Sequence, residues 1–499
     1  MKSSTKLSLI AAAVASALGS AAYALPPTST VDATVFGAGG SAQTNAAFFA
    51  ATKFLDPTTI DSYTDAATCG DSGSYRVLFG KSTKAIGTIA SGKNILYFYK
   101  FNGGSFPNGI QPQIGTGATL PYPAVTGTTT VLSSATACTG AYPLPTFKFP
   151  SSIETSQTIP DWGISDTEVT LFNNTNNLNG VAALTTSQLN AISQTGVYDN
   201  LYGVAVTNNL FAHKTNFSKP EVAGILAGTI TNWSQLFDDT GTPLTAGPVI
   251  LLDRGSGSGS KAAGSQYFLG NPGVGTSALL PQSISNAASN ATSPVGTGVN
   301  LGYTSTVLVP GSTGYQDVRE ASSGAIVADL QLAQADGLRA IAILGLEFPP
   351  AGNQVGGANV YSFAKIGNVG PDTGTTGDNI NGPHGGGSAT KYTNVVTGAY
   401  DFFYQNSFNL RTANISGNHA AFAAEVLSDL QLSAISGANA SKAFPLGVPG
   451  LLLDPVTVGG QPAGSTLGSR LGISTAPLQQ VQDGVATGGA AITFGSDPL

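Results

Sequence analysis

Arg254 heads the stretch "DRGSGSGSKAAGSQYFLG", residues 253–270. A guanidinium carries a rigid fork of donors and stays charged at any physiological pH. Ser258, Gly259 and Ser260 follow where a helix running toward Gly270 would begin. A helix start presents unpaired N–H groups and the positive end of the dipole. Two hydroxyls and an arginine beside such a start make an anion cradle. A flexible Gly-Ser linker is the bland alternative. Linkers seldom follow directly on a strand as apolar as "PVILLD" and lead straight into a helix. A second glycine turn, "FGAGGSA" (36–42), matches the outline of a dinucleotide fingerprint at Gly37, Gly39 and Ala42. The text beyond it, "KFLDPTTIDSYTDAATCG", is not the second strand with a terminal acid that a ribose needs. A glycine turn entering a helix still offers N–H groups to an anion. In "GSYRVLFGKS" (73–82), Tyr75 stands where a P-loop requires glycine. "DWGISDTEV" (161–169) gathers Asp161, Asp166 and Glu168 beside Trp162, which alone reads as a solvated acidic turn.

Hydrolysis finds little support. His213, His384 and His419 are far apart and in no H-x-x-x-H spacing, and no G-x-S-x-G occurs. No cofactor motif survives inspection.

The elements that must hold these residues alternate between strand and helix. Strand-like runs are "STVDATVFGAGG", "YRVLFG", "KNILYFYK", "YGVAVTN", "PVILLD", "AIAILGLEF", "NVYSFAKI" and "AYDFFYQ". Helical spacing falls on Ala47, Phe48, Ala51, Phe54 and Leu55, and helices are expected over Lys219–Ala227, Val318–Ala335 and Ala420–Ala434. Alternation of this kind predicts an α/β fold with mostly parallel sheets. Gly/Pro/Ser/Thr-rich blocks at 105–145, 270–300 and 367–390 read as surface loops, and the text beyond about 440 carries no strong element signal.

Lys2 and Lys6, the apolar run "LSLIAAAVASAL" and small residues at Ala22 and Ala24 form a secretory signal peptide, with cleavage expected after Ala24. The apolar run is too short for a stable span. An exported chain that is not membrane-embedded is expected, periplasmic or secreted. Charged residues are only 9% of the chain, and net charge is about −9 once the two lysines are removed. Nucleic acid is excluded as a partner, since its affinity rests on clustered Lys and Arg. An anion must therefore be held locally. Cys69 and Cys138 can pair in an oxidising compartment, closing a loop worth about 4 kcal/mol. Two buried thiols are the alternative.

In order along the chain, these pieces resemble the periplasmic phosphate-binding proteins of bacterial ABC importers, the PstS type. "GAGGSA" (37–42) stands at that family's G-A-G-A-[ST]-F stretch, "DWGISD" (161–166) at its D-F-G-A-S-D, and "PEVAGILAGTITNW" (220–233) at its helix and G-K-I-x-x-W turn. "RGSGSGS" (254–260) stands at its R-x-D-G-S-G-T, "AIAILGLEF" at its A-I-G-Y strand, and "TGAYDFFY" (397–404) at its return strand. The resemblance implies a two-lobed periplasmic binding protein fold with two crossovers and a central ligand cleft. Lobe one would run 25–198 plus 392–499, with an insertion at about 70–160, and lobe two 199–391. It further implies a monomer that binds inorganic phosphate or a related oxyanion for ABC-type uptake, with a permease as partner. The implied ligand-binding residues are Ser41, Ala42 through its backbone, Ser105, Asp166, Arg254, Ser258, Gly259 and Ser260. Asp166 would accept a hydrogen bond from protonated phosphate and so reject sulfate, which has none to give. Two departures stand out: Ala42 replaces the family's phenylalanine, and Ser256 replaces the aspartate near the arginine. A secreted surface or matrix protein with a repurposed fold is the second reading, and a secreted phosphatase the third.

Overall fold

The computed structural model describes residues 30–452 except 66–72, 115–117, 124–134, 139–143, 150–154, 173–183, 271–314, 351–357, 371–393, 395–398, 412–414, 433–450 and positions 168, 256, 321 and 349. The signal peptide, Cys69, Ser256, Glu168, His384, most of the Gly-rich blocks at 270–300 and 367–390 and nearly all of the chain beyond 440 lie outside the described residues.

The chain enters through strand β1 (Ala33–Gly39), a single 3₁₀ turn at Ser41–Gln43 and helix α1 (Thr44–Lys53). Strands β2 (Asp61–Thr64), β3 (Tyr75–Lys81), β4 (Asn94–Lys100), β5 (Thr146–Lys148) and β6 (Trp162–Ser165) follow. β7 (Ile192–Thr207) is a sixteen-residue strand. Helix α2 (Lys219–Leu226), β8 (Ile250–Arg254), helix α3 (Gly259–Leu269), β9 (Gln316–Glu320), helix α4 (Ser323–Ala335), β10 (Ala340–Gly345) and β11 (Tyr361–Ile366) build the middle of the chain. β12 (Phe403–Arg411) and helix α5 (Gly417–Leu432) close it.

One sheet path runs β9-β8-β10-β7-β12-β6-β1-β4-β3-β2-β5. β7 divides it. The first half of β7 pairs with β12, from Ile192 opposite Arg411 to Leu201 opposite Phe403. The second half pairs with β10 and β11, with Tyr202 opposite Gly345 and Thr207 opposite Tyr361. A register shift between Gly196 and Asp199 marks the bend. β7 thus carries the chain from one lobe to the other, and the segment entering β12 brings it back. The fold is the α/β, two-lobed periplasmic binding protein fold.

The sheets differ from expectation in one respect: they are mixed rather than mostly parallel. β1 runs parallel to β4 and β6, and β8 parallel to β9 and β10. β7 is antiparallel to each strand it meets, as is β3 to β2 and β4. A strand that crosses between lobes and a return strand beside it must oppose their neighbours, and alternation of element types in sequence says nothing of direction. β3 and β4 belong to the 70–160 stretch, and β4 sits directly against β1.

The helix expected over Val318–Ala335 is a second difference. Gln316–Glu320 is a strand paired with β8, and the helix begins only at Ser323, where the Ser322 hydroxyl accepts from the Ala325 N–H. Charges hid the strand: Asp317 and Arg319 are buried and pair with each other at 2.6 Å.

β10 is buried at all six positions, as a strand covered on both faces requires. In the other lobe, Trp162 is fully buried and stacks on Tyr97, Tyr99 and Phe408, with ring centroids 5.3–6.0 Å apart. Gly37 exists for that ring: a Cβ there would fall among its atoms, 2.8 Å from Cε2. Cys138 is buried and disulfide-bonded. Among the described residues, no helix is long and apolar enough to cross a membrane.

Candidate functional site

Four segments far apart in sequence meet where the lobes touch. The first is the turn after β1. Gly40 packs so closely on the Asp166 carboxylate that a Cβ there would overlap it, and would stand 2.6 Å from the Ser105 Oγ. The second is the "NGGS" loop after β4. Gly103 and Gly104 hold φ of 125° and 100°, a region that favours glycine. They deliver Ser105, fully buried, to the junction.

The third segment follows β6. Asp166 is 3% exposed, and its N–H donates to Ser105 Oγ at 3.2 Å. The fourth is the Arg254 turn of the other lobe. A Cβ on Gly259 would stand 2.7 Å from both Asp166 Oδ2 and Ser105 Oγ. The Phe106 N–H donates to the Gly257 carbonyl at 2.9 Å, and Gly257, with φ of 77°, packs on Pro107. Ser41 Oγ is shielded from solvent and has no hydrogen-bond partner among the described residues.

Arg254 is 3% exposed at the end of β8. Its Nη1 donates to Ser323 Oγ at 2.7 Å and to Ser260 Oγ at 3.5 Å, and its Nε to the Glu320 carbonyl at 3.3 Å. Ser258 Oγ lies 3.1 Å from Ser260 Oγ and caps α3 by accepting from the Lys261 N–H at 3.4 Å. α3 ends at Gly270, whose φ of 66° forms a left-handed cap. The starts of α3 and α4 therefore both border the guanidinium. Burial pulls the Arg254 pKa down, while Asp166 foremost, then Glu347, push it back up.

Asp166 is raised from the ordinary aspartate value. Burial is the main cause, opposed by a hydrogen bond from Gln43, the charge of Arg254 and a bond with Ser105. Gln43 Nε2 donates to Asp166 Oδ1 at 2.9 Å, and Gln43 Oε1 in turn accepts from the Tyr198 hydroxyl. The Tyr202 hydroxyl donates to the Asp166 carbonyl at 3.3 Å.

Of the expected site residues, the structure thus brings Ser105, Asp166 and Gly259 into mutual contact. It sets Arg254, Ser258 and Ser260 together beside them. Ser41 and Ala42 lie on the 3₁₀ turn that follows Gly40, Ala42 being 5% exposed. Gln43, Ser323 and Glu347 escape sequence reading. Gln43 lies one residue beyond the glycine turn and was within reach. Ser323 is joined to Arg254 across sixty-nine positions, and nothing local announces it. "DWGISD" is not a solvated turn: Trp162–Ser165 is a buried strand, and Asp161 is 6% exposed.

Behind Arg254, the Asp329 carboxyl on α4 is buried within reach of the Glu320 charge on β9. Burial, then the Glu320 charge, push Asp329 up to about 8. The folded protein therefore holds a proton there that the unfolded chain releases above its ordinary value of 3.8. Stability contributed by this group is full below that value, falls as pH rises, and levels off above about 8. Asp329→Asn is expected to flatten this slope, leaving the variant more stable than wild type at alkaline pH by urea denaturation across the range.

A two-lobed α/β fold with glycine turns, hydroxyls and one buried arginine meeting between the lobes defines a class of ligand-binding protein. Residues 179–429 match the PBP superfamily domain, and the chain belongs to that superfamily. No curated protein matches. Solved structures with similar folds include a phosphate-binding protein from Stenotrophomonas maltophilia at 15% identity and TM-score 0.30, over 58% of this chain and 74% of that one. PstS from Borrelia burgdorferi matches at 14% and 0.27, over 58% and 79%. An ABC-type phosphate transport receptor from Vibrio cholerae matches at 12% and 0.27, over 54% and 74%. Identities and scores this low transfer no function.

Proposed function

We propose that the protein binds phosphate or a related oxyanion between its lobes, as the exported binding component of an ABC-type uptake system. The observation that carries this is the meeting of Gly40, Ser105, Asp166 and Gly259 within contact distance beside Arg254. A desolvated oxyanion needs a donor for every oxygen. Hydroxyls from Ser41, Ser105, Ser258 and Ser260, backbone N–H groups of the two glycine turns and the guanidinium are the donors on offer.

Asp166 is the one acceptor among them. It suits an anion that still carries a proton. Sulfate would leave a buried carboxylate facing a fully ionised ligand, so phosphate is favoured. The Ser256 departure is offset here, because Ser323 and Ser260 orient Arg254 instead.

Calorimetric titration of ligand-stripped protein with phosphate, then sulfate, is the test. Heat with phosphate and none with sulfate is expected. No heat with either would overturn the reading and leave a secreted protein with a repurposed fold.

A further inference from the structure

Glu347 lies just past the end of β10, in "GLEF", and its carboxylate folds back against the bare Cα of Gly345. A side chain at position 345 would occupy the same space. Both carboxylate oxygens are shielded from solvent, and among the described residues no side chain donates to either. Among the described residues, the charged and titratable groups within electrostatic reach are Asp166 and Arg254 at the junction, and Tyr198 and Tyr202 on β7. Neither tyrosine is positioned as its donor: Tyr198 donates to Gln43 and Tyr202 to the Asp166 carbonyl.

Charge counting then constrains what Glu347 does. Asp166 and Glu347, both ionised, outweigh Arg254 before any ligand arrives. An oxyanion added to two bare carboxylates and one guanidinium would leave an uncompensated buried charge, which proteins avoid by protonating an acid. Of the two acids, Asp166 has side-chain hydrogen bonds with Gln43 and Ser105 that favour its ionised form, and Glu347 has only its own backbone N–H. The proton belongs on Glu347.

We propose that Glu347 is a further specificity-determining residue of the anion site, donating its carboxylic proton to one ligand oxygen while Asp166 accepts a proton from another. The inference rests on the oxyanion reading above. The site would then offer one acid that gives and one that takes, a pattern fitted to a partly protonated tetrahedral oxyanion. Burial pushes Glu347 up to about 8, so it is neutral at physiological pH and ionises in the mildly alkaline range.

The experiment compares wild type and Glu347→Gln, titrated with inorganic phosphate from about pH 7 to about pH 9. The glutamine keeps a donor at all pH values. Wild-type affinity is expected to fall about tenfold relative to the variant over that range, as a group titrating near 8 loses its proton. Identical pH profiles for the two proteins, with phosphate bound by both, would overturn the role of Glu347 and leave the oxyanion reading intact. No binding by either protein would overturn the oxyanion reading and the inference with it. Infrared difference spectra of wild type, with and without phosphate at about pH 9, do not depend on a variant folding. A gain in protonated-carboxyl absorbance on binding is expected, and its absence overturns the proposal.

Discussion

Asp166→Asn is expected to weaken phosphate binding about 10- to 100-fold, the value of a hydrogen bond to a charged group. Sulfate binding should rise to a measurable level in the same variant. The asparagine keeps the shape and can still accept through its carbonyl, and it brings an NH₂ that donates to an unprotonated oxygen. What it lacks is the charge that penalises sulfate. Gln43, which donates to Asp166 at 2.9 Å, can donate to the amide oxygen instead, so the fold should tolerate the change. The same carboxylate predicts a pH effect. Because burial raises Asp166, it takes a proton sooner on acidification than an exposed aspartate, and a protonated acid no longer rejects sulfate. Wild-type discrimination should therefore fade in mild acid, while the variant shows none to lose. Competition calorimetry with both anions at several pH values reads both effects. A variant that keeps full discrimination would assign selectivity to other residues.

The arginine and the serine cradle were legible because they sit in a short run with its own physics, whereas Asp166 alone read as part of a solvated acidic turn and entered as an acceptor only by resemblance. "RGSGSGS" reads as a strand-to-helix turn, since apolar "PVILLD" precedes it and a helical run ending in glycine follows. The structure has β8 and α3 in those places. Ser105 was legible only by resemblance. Its delivery depends on Gly103 and Gly104 in conformations that other residues avoid, and two adjacent glycines in a glycine-rich chain are no signal alone.

The parts that stayed hidden share a cause: they are long-range. Ser323 reaches Arg254 because β9 lies parallel beside β8, a pairing masked by the charges of Asp317, Arg319 and Glu320. Those charges read as a helix surface until Asp317 and Arg319 are seen paired inside. Glu347 is the one charge in an otherwise apolar run, residues 340–348. Its meaning depends on Gly345 leaving room and on Asp166 lying across the junction. The direction of β7 was likewise invisible, since a strand's periodicity is the same read either way.

Gly259→Ala tests whether the lobes must meet this closely for ligand to bind. Gly259 opens α3, and a methyl there would stand 2.7 Å from Asp166 Oδ2 and Ser105 Oγ, both of the opposite lobe. Neither is the far end of a long flexible side chain. Asp166 is tied to Gln43, and Ser105 Oγ accepts from the Asp166 N–H. Room can be made only by holding the α3 turn away, which would also stretch the bond from the Phe106 N–H to the Gly257 carbonyl at 2.9 Å. Overpacking of this kind costs about 1–3 kcal/mol, so phosphate affinity should fall roughly 5- to 150-fold. Alanine suits a helix start at least as well as glycine. Thermal stability without ligand should change little, and the stabilisation that phosphate confers on wild type should shrink with the lost affinity. Small-angle scattering provides the geometric readout: wild type should contract on adding phosphate, and the variant should not. A variant that binds and contracts like wild type would mean that the lobes reach the ligand without the contact at Gly259.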